Sequence, residues 1–369
     1  WHYFNIIISS LDRAKREPHR SAIYERGFDL VIVDEAHRLK NKETMNWKFV
    51  NNIPKKYLLL LTATPVQNDL KELYNLINLL RPELYKDYND FKSCHVKGRR
   101  QIQNLSVLQE QLSEIMIRNS RDDFGLESRN KRKLELLPVH LNFKEQELYD
   151  LITNLIQDKY QGQGSNNSFQ LLTLQREACS SFFAVKKSVQ RMLKKPQYQQ
   201  LESDLQRILE VTAEIKVNDK LKVVKQIMAE TNSKVIIFTE YKATQEYLGY
   251  HLYQQGYNPI FFSGDLSDNQ KEWAKLMFEN KGDVLISTEA GGQGINLQFC
   301  HTIINYDLPW NPMKLEQRIG RVDRLGQENN VVVYNLITTG TIEEEIFTVL
   351  VEKVDLFETV TGDQLQLLH

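Results

Sequence analysis

The sequence predicts an α/β protein with two parallel-sheet lobes and helical insertions. The first indication is a set of short apolar runs at residues 5–9, 29–33 and 57–61, apolar at consecutive positions rather than alternating, as strands covered on both faces require. Similar runs return at 234–239, 259–263, 283–287, 302–306 and 331–336. Polar, helix-compatible stretches such as 42–52 separate them, which makes β-α-β units with parallel strands the economical arrangement.

Each remaining stretch has its place in that plan. Residues 70–117 turn to a helical period and belong with the first lobe, 1–117. Residues 118–137 are dense in charge and end at Pro138, so 118–140 is expected to link the lobes. The second lobe, 141–369, opens with long amphipathic helices over 144–230, broken by the polar loop QGQGSNNS at 161–168. It closes with an amphipathic helix over 342–357, and no internal repeat is evident.

Bulk properties exclude several classes. With 369 residues, 41% of them hydrophobic, the chain is long enough for two full cores, and no apolar run reaches the roughly 20 residues that cross a bilayer. Cys94, Cys179 and Cys300 lie far apart with no partner at metal-ligand spacing, as free thiols of a reducing, cytoplasmic compartment do. Lys plus Arg number 47 against 48 Asp plus Glu, so a polyanion must be met by a local patch. Candidate patches are Arg13, Lys15 and Arg16; Arg99 and Arg100; Arg129, Lys131, Arg132 and Lys133; and Lys194 with Lys195, each of which, taken singly, reads first as a solvated surface cluster.

Chemistry concentrates at strand ends. Asp34-Glu35-Ala36-His37 follows the run 29–33 directly, where a parallel sheet presents its ligand crevice. Phosphoryl transfer explains the pair: nucleotide-bound Mg²⁺ needs an acidic anchor, Asp34, and the attacking water needs a proton acceptor, Glu35. His37 is placed to connect this site to the next, Thr62-Ala63-Thr64-Pro65, whose hydroxyls suit the γ-phosphate region but also suit an ordinary turn.

In the second lobe, Gln317, Arg321 and Arg324 stand at i, i+4 and i+7, and a helix there would put them on one face. Two such guanidiniums can neutralise charge on a transferring phosphoryl group, an effect of about 10³ to 10⁵ in rate. Gly320 inside that helix would cost about 1 kcal/mol. The loop Thr288-Glu289-Ala290-Gly291-Gly292-Gln293-Gly294-Ile295-Asn296 exposes backbone N–H groups and is either a phosphate-approaching loop, through Gly292 and Gly294, or a flexible turn. Thr239, Ser263, Gly264, Thr288 and Asn296 add donors at strand ends suited to one nucleic-acid backbone, or to helix capping.

In order, VIVDEAHRLKN, LLTATPVQNDLKELYNLINLLRP, KVIIFTEY, STEAGGQGINLQ, NYDLPWNP and QRIGRVDRLGQ resemble the superfamily-two helicase motor over nearly the whole chain, and within it the Swi/Snf family of DNA-translocating ATPases. Thr-Ala-Thr-Pro and Arg-Val-Asp-Arg resemble its bacterial, RapA-like branch. The resemblance implies two RecA-like lobes with helical protrusions, ATP and Mg²⁺ as cofactors, and duplex DNA tracked along one strand without separation. It also implies a DNA-bound complex such as RNA polymerase as a possible partner. It assigns Asp34 to the metal, Glu35 to water activation, Arg321 and Arg324 to the arginine fingers and Gln317 to a nucleotide contact. Strand-separating helicases and non-hydrolysing binding modules are the alternatives.

One part of the pattern is missing. GxxxxGK[ST], the phosphate-binding loop, occurs nowhere in the chain, so the first lobe is expected to be incomplete and the chain a piece of a longer ATPase.

Overall fold

The computed structural model describes residues 3–62, 69–98, 101–117, 131–160, 168–288, 296–324, 326–361 and 367. It divides into one unit of residues 1–120 and 352–365 and a second of 121–351 and 366–369.

In the first unit α1 (Leu11–Ala14) and α2 (His19–Arg26) precede β1 (Phe28–Val33); α3 (Met45–Asn52) then crosses to β2 (Lys55–Leu60), parallel to β1. The register pairs Val31 with Leu58 and Val33 with Leu60, so these four share a face. That face packs on Ile23, Leu39, Phe49, Val50 and Ile53. On the opposite face Leu30, Ile32, Tyr57 and Leu59 are exposed, Tyr57 by 71% and Ile32 by 55%. The expectation of strands buried on both faces therefore fails here, because the sheet has two strands and the helices cover one side. The expected strand at 5–9 does not form either: Ile6 and Ile8 are almost fully exposed, with no ladder to pair with. Helices α4 (Leu70–Leu80), α5 (Tyr88–His95) and α6 (Leu105–Ser113) build a separate core from Leu73, Tyr74, Phe91 and Leu108.

The second unit carries a six-stranded, wholly parallel sheet. Its first strand is β3 (Arg132–Val139), followed by a helical cluster of α7 (Phe143–Tyr160), α8 (Ser168–Ser180), α9 (Phe182–Met192), α10 (Glu202–Glu214) and α11 (Asp219–Glu230). Then come β4 (Val235–Thr239), α12 (Lys242–Tyr253), β5 (Pro259–Phe262), α13 (Asp268–Asn280), β6 (Val284–Thr288), β7 (Thr302–Asn305), α14 (Pro312–Ile319), β8 (Val331–Thr338) and α15 (Ile342–Thr361). The strand order is β3-β8-β7-β4-β6-β5, and every residue of the central strands β4, β6 and β7 is buried. The helices between strands cover both faces, as the continuous apolar runs require.

Strand β3 corrects the linker at 118–140. Its charged residues fit a strand because it lies at one edge of the sheet: it pairs with β8 alone, and only Val139 is buried. Pro138 is tolerated at such an edge, where one row of N–H groups has no ladder partner to lose.

A buried polar knot ties the helical cluster to the sheet. Lys220 of α11 donates to the Tyr306 carbonyl at 2.8 Å and to Glu343 at 2.7 Å, and lies 3.8 Å from Asp307. Asp307 also accepts from Ser180, Thr239 and the Glu240 N–H. Leu356 and Val360, which belong to the first unit, pack in the α4–α6 core.

Candidate functional site

In the first unit the chain leaves β1 through Asp34 and Glu35. Leu61 N–H donates to Val33 O and Ala36 N–H to Leu61 O, both at 2.9 Å, so the turn is pinned against the end of β2. Glu35 sits at φ 52°, ψ 49°, a left-handed conformation that costs a side-chain-bearing residue about 1–2 kcal/mol. Local geometry would favour glycine or asparagine there. A glutamate held in that region, with its carboxylate 56% exposed, is the kind of outlier that clusters at functional sites.

Asp34 is exposed too and accepts the Glu35 N–H at 2.8 Å. His37 Nδ1 lies 3.1 Å from Glu35 Oε2. Burial pushes the imidazole down from its usual pKa, and the Glu35 charge only partly reverses this. The 3₁₀ turn Ala36–Leu39 that follows is anchored by the fully buried Ala36 and Leu39, and Asn75 of α4 donates to the Lys40 carbonyl at 2.8 Å. Thr62 is half-buried just past β2; Thr64 lies outside the described residues.

The donor set fits a hard cation. Among the described residues no group of three or more His, Cys, Asp or Glu is gathered as a metal cage. Mg²⁺ in nucleotide sites needs none, since one or two carboxylates with phosphates and waters complete its octahedron.

In the second unit Asn311 caps α14 by accepting the Met313 N–H at 3.0 Å, and Pro312 occupies the first turn, which explains Asn-Pro at that point. The helix ends at Ile319, so Arg321 and Arg324 are not on one helical face with Gln317. This corrects the i, i+4, i+7 expectation and removes the puzzle of Gly320. Gly320 lies past the helix end, donates to Glu316 O at 2.7 Å, and a Cβ there would come within 3.2 Å of that carbonyl. Gln317 and Arg321 are half-buried and Arg324 is exposed, its Nε donating to Gly320 O at 2.8 Å.

The turn has further anchors. Leu297 N–H donates to Arg321 O at 3.0 Å, and the Gln327 amide reaches Val322 O, Gln298 O and Cys300 O at 2.9–3.0 Å. Arg318, overlooked between the motif residues, is buried and donates to Asn305 and to the Asp307 carbonyl, both at 2.9 Å. Arg132, expected in a nucleic-acid patch, instead grips Glu316 and Asp323 from β3.

Of the expected backbone contacts, Ser263 is half-buried and Gly264 exposed after β5, and Asn296 is exposed. Thr288 is buried at the end of β6. Thr239 is fully buried with its hydroxyl donated to Asp307, which removes it from direct contact with a nucleic acid. Gly292 and Gly294 lie outside the described residues. Among the basic clusters, Lys15 pairs with Asp12 at 2.6 Å and Lys133 with Glu135 at 2.6 Å, while Arg99, Arg100 and Arg129 lie outside the described residues. No described helix is long and apolar enough to cross a membrane.

One parallel-sheet unit thus bears an acidic pair at a strand end, and the other bears arginines just beyond α14. The SNF2-related domain model matches residues 1–198 and the helicase conserved C-terminal domain model residues 219–326, and the chain belongs to the SNF2-related family. It is 45% identical over 370 residues to the uncharacterized ATP-dependent helicase YqhH of Bacillus subtilis (strain 168), covering 98% of this chain and 65% of that protein. It is 26% identical over 351 residues to human chromodomain-helicase-DNA-binding protein 1, covering 93% of this chain and 20% of that protein. The chain thus spans less than two thirds of the length of these relatives. Among solved structures, the Sulfolobus solfataricus SWI2/SNF2 ATPase core in complex with dsDNA matches with a TM-score of 0.45 at 23% identity, over 95% of this chain and 71% of that one.

Proposed function

We propose that this chain is the larger part of an ATP-driven motor that moves along duplex DNA without separating its strands. The observation that carries the reading is Glu35, an exposed carboxylate kept in a left-handed backbone conformation beside exposed Asp34 at the carboxyl end of β1. Neither helix capping nor packing accounts for a glutamate there.

In this reading Asp34 anchors Mg²⁺, which when bound supplies charge neutralisation at the phosphates. Glu35 accepts a proton from the attacking water, with the His37 ring 3.1 Å from its carboxylate. Thr62 and Thr64 lie on the γ-phosphate side. Arg321 and Arg324 neutralise charge that develops on the transferred phosphoryl group, and Gln317 contacts the nucleotide. Ser263, Gly264, Thr288 and Asn296, with Gly292 and Gly294, grip one strand of the duplex. Thr239 supports them indirectly by holding Asp307. RNA polymerase as a DNA-bound partner rests on the sequence resemblance alone, and co-sedimentation with polymerase tests it.

The protein at its natural length should hydrolyse ATP faster with duplex DNA. Glu35→Gln should lower turnover by about 10²-fold or more, and Arg321→Ala by about 10³-fold, with DNA binding retained. Undiminished hydrolysis in either variant overturns the assignment. Displacement of a triplex-forming strand without unwinding separates a translocase from a strand-separating helicase. Residues 1–369 alone, having no phosphate-binding loop, should show no ATP binding by calorimetry; micromolar affinity would refute this.

A further inference from the structure

We infer that Arg132 is a positioning residue for the turn that carries Arg321 and Arg324. The inference rests on the motor reading above and adds a residue that reaches the turn from a distant strand.

Arg132 opens β3, at one edge of the sheet, 184 residues from Glu316 and 191 from Asp323. Its Nη1 and Nη2 donate to the two carboxylate oxygens of Glu316, each at 3.0 Å, and its Nε donates to Asp323 Oδ2 at 2.5 Å. One planar guanidinium thus spans the last turn of α14 and the turn beyond it. Its side chain is 17% exposed and that of Asp323 is 11% exposed, so the contact is shielded from water and salt.

The position of Asp323 gives the contact its consequence. Asp323 lies between Arg321 and Arg324, past the end of α14, where the regular helix has stopped and its N–H makes one last bond back to Ile319 O at 2.9 Å. Other anchors there include bonds to the backbone carbonyls of Arg321 and Val322, and the bond of Arg324 to Gly320 within the turn. Arg132 fixes a side chain between the two arginines and ties it to α14 through Glu316, so the turn and the helix move as one body. Without Arg132, the Asp323 carboxylate keeps its shielded position and loses this cation. The cations nearest along the chain are Arg321 and Arg324 themselves, and pairing with either draws that arginine from its place.

Arginine suits the contact better than lysine. Two carboxylates in different directions take three donors in a plane, whereas an ammonium is a single point of charge.

The test is steady-state, DNA-stimulated ATP hydrolysis by the protein at its natural length. Arg132→Ala should lower kcat by about 10- to 100-fold while KM for ATP and duplex affinity stay within about 3-fold, since misplacing a transition-state group spares ground-state binding. Arg132→Lys should recover part of kcat. Asp323→Ala should show a similar loss, and the double variant should be no worse than the poorer single, because both changes break one contact. Thermal melts confirm folding at the assay temperature, and where Arg132→Ala is unfolded, Arg132→Lys and Asp323→Asn decide. Unchanged kcat in folded Arg132→Ala, or losses in the two singles that multiply in the double, overturns the inference while leaving the motor intact. A wild-type protein without ATPase activity, or an Arg321→Ala variant at full rate, overturns the motor reading and this inference with it.

Discussion

The two sheets are written in the same sequence style and end in different surroundings. Strands β1 and β2 read FDLVIV and KKYLLL, β4 and β6 read VIIFT and VLIST. The latter are buried at every residue; the former are covered on one face, with Leu30, Ile32, Tyr57 and Leu59 left exposed. A continuous apolar run therefore states what a strand can bury, and the number of neighbouring strands and covering helices states what it does bury. The acidic pair stands on the half-covered sheet and the arginines on the fully covered one. Mutations should accordingly be tolerated differently in the two units.

The largest contrast is expected at the buried knot of the second unit. Lys220→Ala leaves Glu343 and Asp307 without their cation inside the protein, and should cost about 3–5 kcal/mol in denaturant unfolding. A loss under about 1 kcal/mol would mean that water enters the knot and that this unit is less closed than its burial suggests.

Next is a matched pair of strand residues. Ile304→Ala in β7, where the side chain is fully buried, should cost about 2–5 kcal/mol, and Ile32→Ala in β1, at 55% exposure, about 1 or less. Equal losses would show that the exposed face of β1 is covered in solution.

The third turns on pH. Burial pushes the Glu177 carboxyl up to about 7, against the Ser188 hydroxyl and Arg191. The folded state then holds a proton that the unfolded chain releases above its ordinary carboxylate pKa of about 4.5, so stability falls as pH rises from there through 7. Glu177→Gln should stabilise the second unit by about 2–3 kcal/mol at pH 8 and change little at pH 4. Pulse proteolysis at the two pH values reads the difference, and an equal effect at both would place Glu177 in water.

The smallest effect should not distinguish the units at all. Asp69 caps α4 by accepting the Lys71 and Glu72 N–H groups, and Ser267 caps α13 in a reciprocal capping box with Gln270. Asp69→Ala and Ser267→Ala should each cost about 1 kcal/mol, because capping is local and indifferent to what covers the sheet.

How much was legible follows the same division. The DEAH segment was readable because strand, turn and acid pair are contiguous, and the structure puts both carboxylates in the open at a strand end. The face shared by Gln317, Arg321 and Arg324 was not, because a helical period cannot register that Gly320 ends the helix four residues before Arg324. Strand β3 was hidden by its charges, which are admissible at the edge of a sheet and would not be at its centre.

By itself the sequence determined the parallel α/β class, the helical cluster ahead of β4, and the strand end at which the acidic pair stands. These follow from hydrophobic period and from chemistry carried by neighbours along the chain. Tertiary structure alone decided which face of β1 and β2 is covered, that Thr239 is spent on Asp307, and that Arg132 serves the turn of Arg321 and Arg324. Each depends on partners tens to hundreds of residues away, and only packing brings such partners together.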